Sequence, residues 1–285
     1  MLNKLTNLVI ETALKKESID IQKSKIEFEF SLDVPVYEIN KNDKSIKVIF
    51  KEIPLNMPEG KYKVLDGIIS YIEIKSENKD IISNISLDFN TDFDIKIIKN
   101  IPSKLVFLID RNPLTDLFKD KKIIINPGFS NKTKSPTGLF QQVPMLYISK
   151  KLNYFITGCH GKSRLTWEQS IQKTDTSSIN ADIYIDIFTE TSNNKSGFKV
   201  YYSNKNKNSY ILANQINQEI EKKIPLDNLG IYEKSFDIKP EIIYVGIIPG
   251  MENQRLDDAH LRDLDYRNKI SQGIFNGLVK FFTIH

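Results

Sequence analysis

Apolar and polar residues alternate through the first part of the chain. Residues 25–32 read Lys-Ile-Glu-Phe-Glu-Phe-Ser-Leu and residues 45–50 read Ser-Ile-Lys-Val-Ile-Phe, each with an apolar side chain at every second position. Successive side chains of a strand point to opposite faces, so this period of two predicts strands buried on one side. The pattern returns at 68–74, 81–89, 93–98 and 105–109, with breaks expected at the polar or Gly- and Pro-bearing stretches 40–44, 56–60, 77–79 and 100–103. Residues 1–111 are therefore expected to form an all-β sandwich or meander. Residues 112–121, with Asn112-Pro113 and the charged run Lys119-Asp120-Lys121, read as a linker holding a short helical turn.

From 122 to 285 the rhythm changes. Apolar runs at 122–126, 154–157, 181–188, 198–202 and 242–246 alternate with helical stretches near 145–152, 166–173, 210–223 and 264–282. Strand and helix alternating at these lengths predict an α/β domain, a mixed and mostly parallel sheet with helices on both faces. In the last helix Ile270, Ile274, Leu278 and Phe281 fall on one stripe, which reads as packing surface.

Composition narrows the function classes. With 40% hydrophobic and 27% charged residues over 285 positions, the chain is long and apolar enough to build a sizeable core without staples. Its 40 basic and 36 acidic residues are too evenly balanced to point to nucleic acid. One cysteine excludes an intrachain disulfide, and with three histidines it leaves few soft ligands for a structural zinc. No run approaches the roughly 20 apolar residues of a membrane helix, so no span is expected. The start, Met1-Leu2-Asn3-Lys4-Leu5-Thr6, has neither the apolar stretch nor the small-residue cleavage site of a signal peptide.

Two strand ends carry the candidate chemistry. Ile123-Ile124-Ile125-Asn126-Pro127-Gly128-Phe129 and Ala181-Asp182-Ile183-Tyr184-Ile185-Asp186-Ile187-Phe188 resemble the metal-binding motifs of the zinc-dependent N-acetylmuramoyl-L-alanine amidases. In that family the motifs read Asp-Pro-Gly-His-Gly after a hydrophobic strand, and Ala-Asp-hydrophobic-Ser-Ile-His-Ala-Asn. The resemblance continues in order through Gly197-Phe198-Lys199-Val200-Tyr201-Tyr202, Ser209-Tyr210-Ile211-Leu212-Ala213, Asn253 and the closing segment with Tyr266-Arg267-Asn268-Lys269-Ile270. It implies an amidase-like fold in the second half and a bacterial cell-wall setting. The strand order of the first half is similar to the AMIN domain that precedes some of these catalytic domains, which implies attachment to peptidoglycan or an envelope protein.

At the positions that the resemblance assigns to zinc, this chain has Phe129 for the first ligand, Gln141 or Gln142 for the second and Phe188 for the third; Gly246 stands where the family has its base. A phenyl ring offers no coordinating lone pair, a neutral amide brings no charge to offset Zn²⁺, and glycine cannot take a proton. The expectation is a degenerate site with no cofactor, in which Phe129 and Phe188 pack on each other and close the pocket. A rebuilt metal site from Cys159, His160 and Glu190 is the competing reading, although neighbouring Cys159 and His160 would point to opposite sides of an extended segment. Serine hydrolysis and phosphate binding have no supporting motif. Tyr201, Tyr202 and Trp167 are candidate aromatics for stacking on sugar or peptide, with core packing as the competing role. The function these readings favour is a catalytically inactive amidase-like protein that binds peptidoglycan or an envelope protein as a scaffold or regulator. The alternatives are a working peptidoglycan amidase with a rebuilt zinc site, and a structural component of a spore or envelope assembly.

Overall fold

Nine strands take up the alternating part of the chain in the computed structural model, which describes residues 2–11, 23–128, 134–166, 179–192 and 195–285. They are β1 (Leu5–Glu11), β2 (Lys23–Phe30), β3 (Tyr37–Asn42), β4 (Ser45–Phe50), β5 (Gly60–Lys63), β6 (Ile69–Glu77), β7 (Asp80–Leu87), β8 (Phe93–Ile98) and β9 (Ser103–Asp110). All pair antiparallel within two sheets, one in the order β1-β2-β9-β8 and the other β3-β4-β7-β6-β5. The inward residues of β2 and β4 meet between the sheets: the rings of Phe28 and Phe30 each lie 5.2 Å from that of Phe50. Burying one such ring contributes roughly 1.5 to 3 kcal/mol. A polar knot completes this core. Arg111 donates to the Asp66 carboxylate at 3.0 Å, to Ser24 Oγ at 2.8 Å and to the Asp66 carbonyl at 3.0 Å, while Asp66 also accepts from the backbone amides of Ile68 and Ile69.

The expected break at 40–44 is narrower than the sequence suggests. Asp43 and Lys44 alone form the turn, and β3 runs to Asn42. Its residues are mostly exposed at the sheet edge, so it carries no apolar alternation to read.

The chain divides into two compact units, Met1–Asp116 and Leu117–His285. A short helix, α1 (Asn112–Phe118), occupies the expected linker. The second unit is built from β10 (Lys122–Pro127), α2 (Gln142–Gly158), β11 (Lys162–Leu165), β12 (Ile183–Ile187), β13 (Phe198–Tyr202), α3 (Lys207–Glu221), β14 (Asn228–Glu233), β15 (Ile243–Ile248), α4 (Arg255–Arg262) and α5 (Leu264–Ile284). Its sheet runs β11-β10-β12-β15-β13-β14. The first four strands are parallel, β13 runs against β15, and β14 runs with β13. The unit is thus an α/β fold with a mixed sheet.

Residues 154–157, expected as a strand, lie inside α2. The run Tyr-Phe-Ile-Thr favours a strand locally, but Met145, Ile148, Leu152, Phe155 and Ile156 are buried at helical spacing and tertiary packing decides. The helix expected at 166–173 falls outside the described residues except for Thr166. Helices α3 and α5 approach closely at two glycines. A Cβ on Gly277 would sit 2.6 Å from Ile216 Cα, and one on Gly273 would sit 2.9 Å from Ile220 Cα. Beside this contact the buried Glu219 of α3 pairs with Lys222 and with Lys280 of α5, each at 2.5 Å. No helix among the described residues is long and apolar enough to cross a membrane.

Candidate functional site

Strand register sets out the site. Ile124, Tyr184 and Tyr244 align across β10, β12 and β15, and two residues further on Asn126, Asp186 and Gly246 align in turn, with Tyr201 of β13 beside Gly246. Because alternate residues share a face, both rows look the same way. The first row is covered by Ile179, Phe236, Ile238 and Ile242, which seal it as core. The second row leads to the strand ends, where the family cleft would open.

Asp186 is the polar residue at the floor. Its carboxyl accepts from Asn126 Nδ2 at 3.1 Å and from the Tyr244 hydroxyl at 3.3 Å, and Thr166 in turn donates to Asn126 Oδ1 at 3.1 Å. Burial pushes the Asp186 carboxyl up to about 7, against the opposing pull of those two hydrogen bonds. Gly128 is required here by close approach, since a Cβ would stand 2.8 Å from Asp186 Oδ1 and 3.1 Å from Phe188 Cβ.

Phe188 follows β12 and stacks on Tyr201, ring centroids 6.1 Å apart and planes 12° from parallel. A Cβ on Gly246 would lie 3.0 Å from Phe188 Cε1, 3.2 Å from the Tyr244 hydroxyl and 3.4 Å from Tyr201 Cβ. Position 246, where the sequence reading expects the family's base, is therefore walled in by aromatic groups. The Lys234 ammonium stands 5.5 Å from the centroid of Phe188 and 4.7 Å from that of Tyr201. Glu190 gathers the cations at the rim, accepting from Lys199 at 2.5 Å, Tyr201 Oη at 2.8 Å and Lys234 at 3.1 Å. Burial alone would raise the Glu190 carboxyl, but the hydrogen bonds from Lys199, Tyr201 and Lys234 together hold it below the usual carboxylate range. A second polar group lies at the N-cap of α2, where Thr189 shares its hydroxyl between Gln141 Oε1 and Glu252 Oε2, both at 3.0 Å.

The structure thus gathers Gln141, Phe188, Glu190, Tyr201 and Gly246 near one end of the sheet. Gln142 is the exposed first residue of α2. Phe129 and Trp167 lie outside the described residues, so the expected Phe129–Phe188 contact does too; among described residues the stacking partner of Phe188 is Tyr201. Tyr202 has the opposite parity to Tyr201 and packs edge-on against Tyr210. Cys159 and His160 close α2 and precede the start of β11, whereas Glu190 follows the end of the parallel strand β12. These three stand at opposite ends of the sheet. A groove lined by Lys122, Gly161, Lys162, Ser163 and Arg164 also belongs to the strand starts and shares no residue with this cluster.

Lys199, Lys234 and Thr189 escaped the sequence reading, whereas Glu252, six residues beyond Gly246, is readable as a displaced base and is set aside there because it falls in the loop leading to Asn253. Lys199 had a signal, since it shares the parity of Tyr201. Lys234 had none, because it follows β14, whose half-exposed residues carry no clear alternation.

Comparison with known proteins adds the context. Residues 147–280 match the family model described as N-acetylmuramoyl-L-alanine amidase. A curated relative, the probable cell wall amidase LytH of Staphylococcus epidermidis, is 25% identical over 186 residues, which cover 61% of this chain and 62% of the relative. The chain thus matches less than two thirds of that relative's length. Among solved structures, the amidase AmiC2 of Nostoc punctiforme superposes with a TM-score of 0.51 at 20% identity, covering 57% of this chain and 97% of its own. The CwlD amidase of Clostridioides difficile, solved in complex with the GerS lipoprotein, gives 0.50 at 19% identity, covering 58% and 100%. These likenesses establish the amidase fold of the second unit. They also correct the expectation of no cofactor, because the matched family is zinc-dependent. The described side chains do not fit that ion: a phenyl ring at 188, a glycine at 246 and an amide oxygen at 141 already engaged by Thr189 make no zinc donor set, and the described residues contain no group of three or more His, Cys, Asp or Glu that could hold a metal. No chemical step is derived through it.

Proposed function

We propose that this chain, whose residues 147–280 match the model of the N-acetylmuramoyl-L-alanine amidase family, is an amidase-like protein that has lost hydrolysis and serves the cell wall as a binding, scaffold or regulatory component. The observation that carries this reading is the Phe188 ring lying against Gly246. Hydrolysis of an amide needs a base within reach of the attacking water and a group that polarises the carbonyl. Here the base position has no ionisable group and no free space, and the neighbouring ligand position is hydrocarbon. Tyr201, Tyr232 and the Lys199–Glu190–Lys234 group remain as a surface of aromatic faces and paired charges on which a glycan strand with its peptide could lie. Peptidoglycan is the first partner and an envelope protein the second; the structurally similar CwlD is itself solved with a protein partner, the GerS lipoprotein. In this proposal residues 1–111 are the AMIN-like attachment domain, 112–121 the linker and 122–285 the amidase-like domain, placed at the cell envelope.

The test is incubation of the full chain with purified peptidoglycan and excess zinc. The expected outcome is that the protein sediments with the sacculi and releases no soluble peptide above buffer. Peptide release would overturn the loss of hydrolysis, and protein left in the supernatant would overturn the peptidoglycan partner.

A further inference from the structure

Strand β8 closes one edge of the four-stranded sheet and, among the described residues, has β9 as its single strand neighbour. Edge strands in stable proteins are usually short, bulged or polar. This one reads Phe-Asp-Ile-Lys-Ile-Ile and leaves Ile95 38%, Ile97 48% and Ile98 38% exposed. Among the described residues the outer side of its backbone is also open. The amide of Asp110 donates to the Asp92 carbonyl at 2.8 Å, which continues the β8–β9 register and assigns even-numbered residues of β8 to bonding with β9. The N–H and C=O groups of residues 93, 95 and 97 therefore point to the free side.

We propose that this edge pairs with a second copy of itself, antiparallel about a two-fold axis at Ile95. In a symmetric antiparallel pair one residue must face its own copy, and the side chains select which. With the axis at Ile95, the partner's Ile95 lies opposite Ile95, the partner's Ile97 lies opposite Phe93, and the partner's Lys96 lies opposite Asp94, so both charge pairs are of opposite sign. With the axis at Lys96 two ammonium groups would face each other directly. With the axis at Ile97, Ile95 would meet the partner's Lys99 and Asp94 would meet the partner's Asn100. Opposite charges across a strand pair stabilise and like charges destabilise, so only the first register matches both faces. Asp94 is placed for the contact: Lys23 pairs with it, yet its side chain keeps 63% of its exposure. The inward face of the pair would continue the apolar strip of Phe93, Ile95 and Ile97 across the axis, which gives those side chains the cover that a neighbouring strand provides elsewhere in the sheet.

The partner is a second copy of this chain, and the measurement is the mass of the full-length protein by light scattering at tens of micromolar. Twice 32.9 kDa is expected. Lys96→Asp sets Asp94 against an acid and is expected to weaken the dimer about tenfold or more, and Asp94→Lys combined with Lys96→Asp restores it. Since Cys159 is buried, Ile95→Cys should oxidise to a covalent dimer while Ile98→Cys, remote from its own copy, should not. A monomeric wild type, or a dimer that Lys96→Asp leaves untouched, overturns the proposal.

Discussion

At the scale of single residues, the polar cluster beneath the strand ends is governed by Asp186. Its carboxyl is raised from the ordinary 3.8 to about 7 by burial, so the folded protein holds this proton over a range where the unfolded chain has released it. A raised carboxyl contributes stability that is fully present below the unfolded value and lost as pH rises through the folded one. Between about pH 5 and pH 8 this amounts to about 2 to 3 kcal/mol for one such group. Urea unfolding at the two pH values is expected to show the wild type losing that amount relative to Asp186→Asn, which keeps an acceptor for Asn126 and Tyr244 but has no proton to release. Equal pH dependence in the two proteins would show that Asp186 titrates normally. The raised carboxyl follows from its enclosure by Asn126, Tyr244 and Gly128, none of them charged, and such an enclosure exists only once three strands are in register.

At the scale of elements, the contact between α3 and α5 rests on Gly273 and Gly277. Alanine in a helix is favoured over glycine by about 1 kcal/mol, so a free surface would reward Gly277→Ala. Here the added methyl meets the backbone of Ile216, which cannot swing aside as a side-chain end can. Net destabilisation of about 1 to 3 kcal/mol is expected, seen as a lower urea midpoint; stabilisation would mean the helices are free to separate. The stripe of Ile270, Ile274, Leu278 and Phe281 was legible because one apolar face repeats at helical spacing, whereas the glycines opposite Ile216 and Ile220 show only when both helices are in place. The same limit holds in the sheet. Strands β10, β12, β13 and β15 announce themselves as apolar runs, and with them Phe188 and Gly246. Strands β3, β5 and β14 are short, bury no residue fully and hold few apolar side chains, so they give little pattern to read, and Lys234 stayed hidden with β14. The segment at 154–157 was misread because β-branched and aromatic residues suit a strand locally and a buried helix face equally well.

At the scale of the whole molecule, the two units hold their buried charges in different ways. In the first, Arg111 and Asp66 are almost wholly enclosed, with Ser24 bonded to both. Removing one partner of such a pair typically costs about 3 to 5 kcal/mol, because the other charge stays buried. Arg111→Ala is therefore expected to speed hydrogen exchange throughout the strands of the first unit, read peptide by peptide by mass spectrometry, while α3 and α5 keep wild-type protection. Faster exchange in α3 and α5 as well would show that the units unfold together. In the second unit the neighbourhood of Phe188 and Gly246 also constrains the chain's mutational history. A glutamate appearing first at 246 would meet three occupied walls, and a histidine appearing first at 188 would find no base beside it, so neither single change brings a benefit that selection could hold. Under the proposed loss of hydrolysis, the way back runs through changes at 129, at 141 or 142, at 188 and at 246, a valley of several substitutions none of which is rewarded alone.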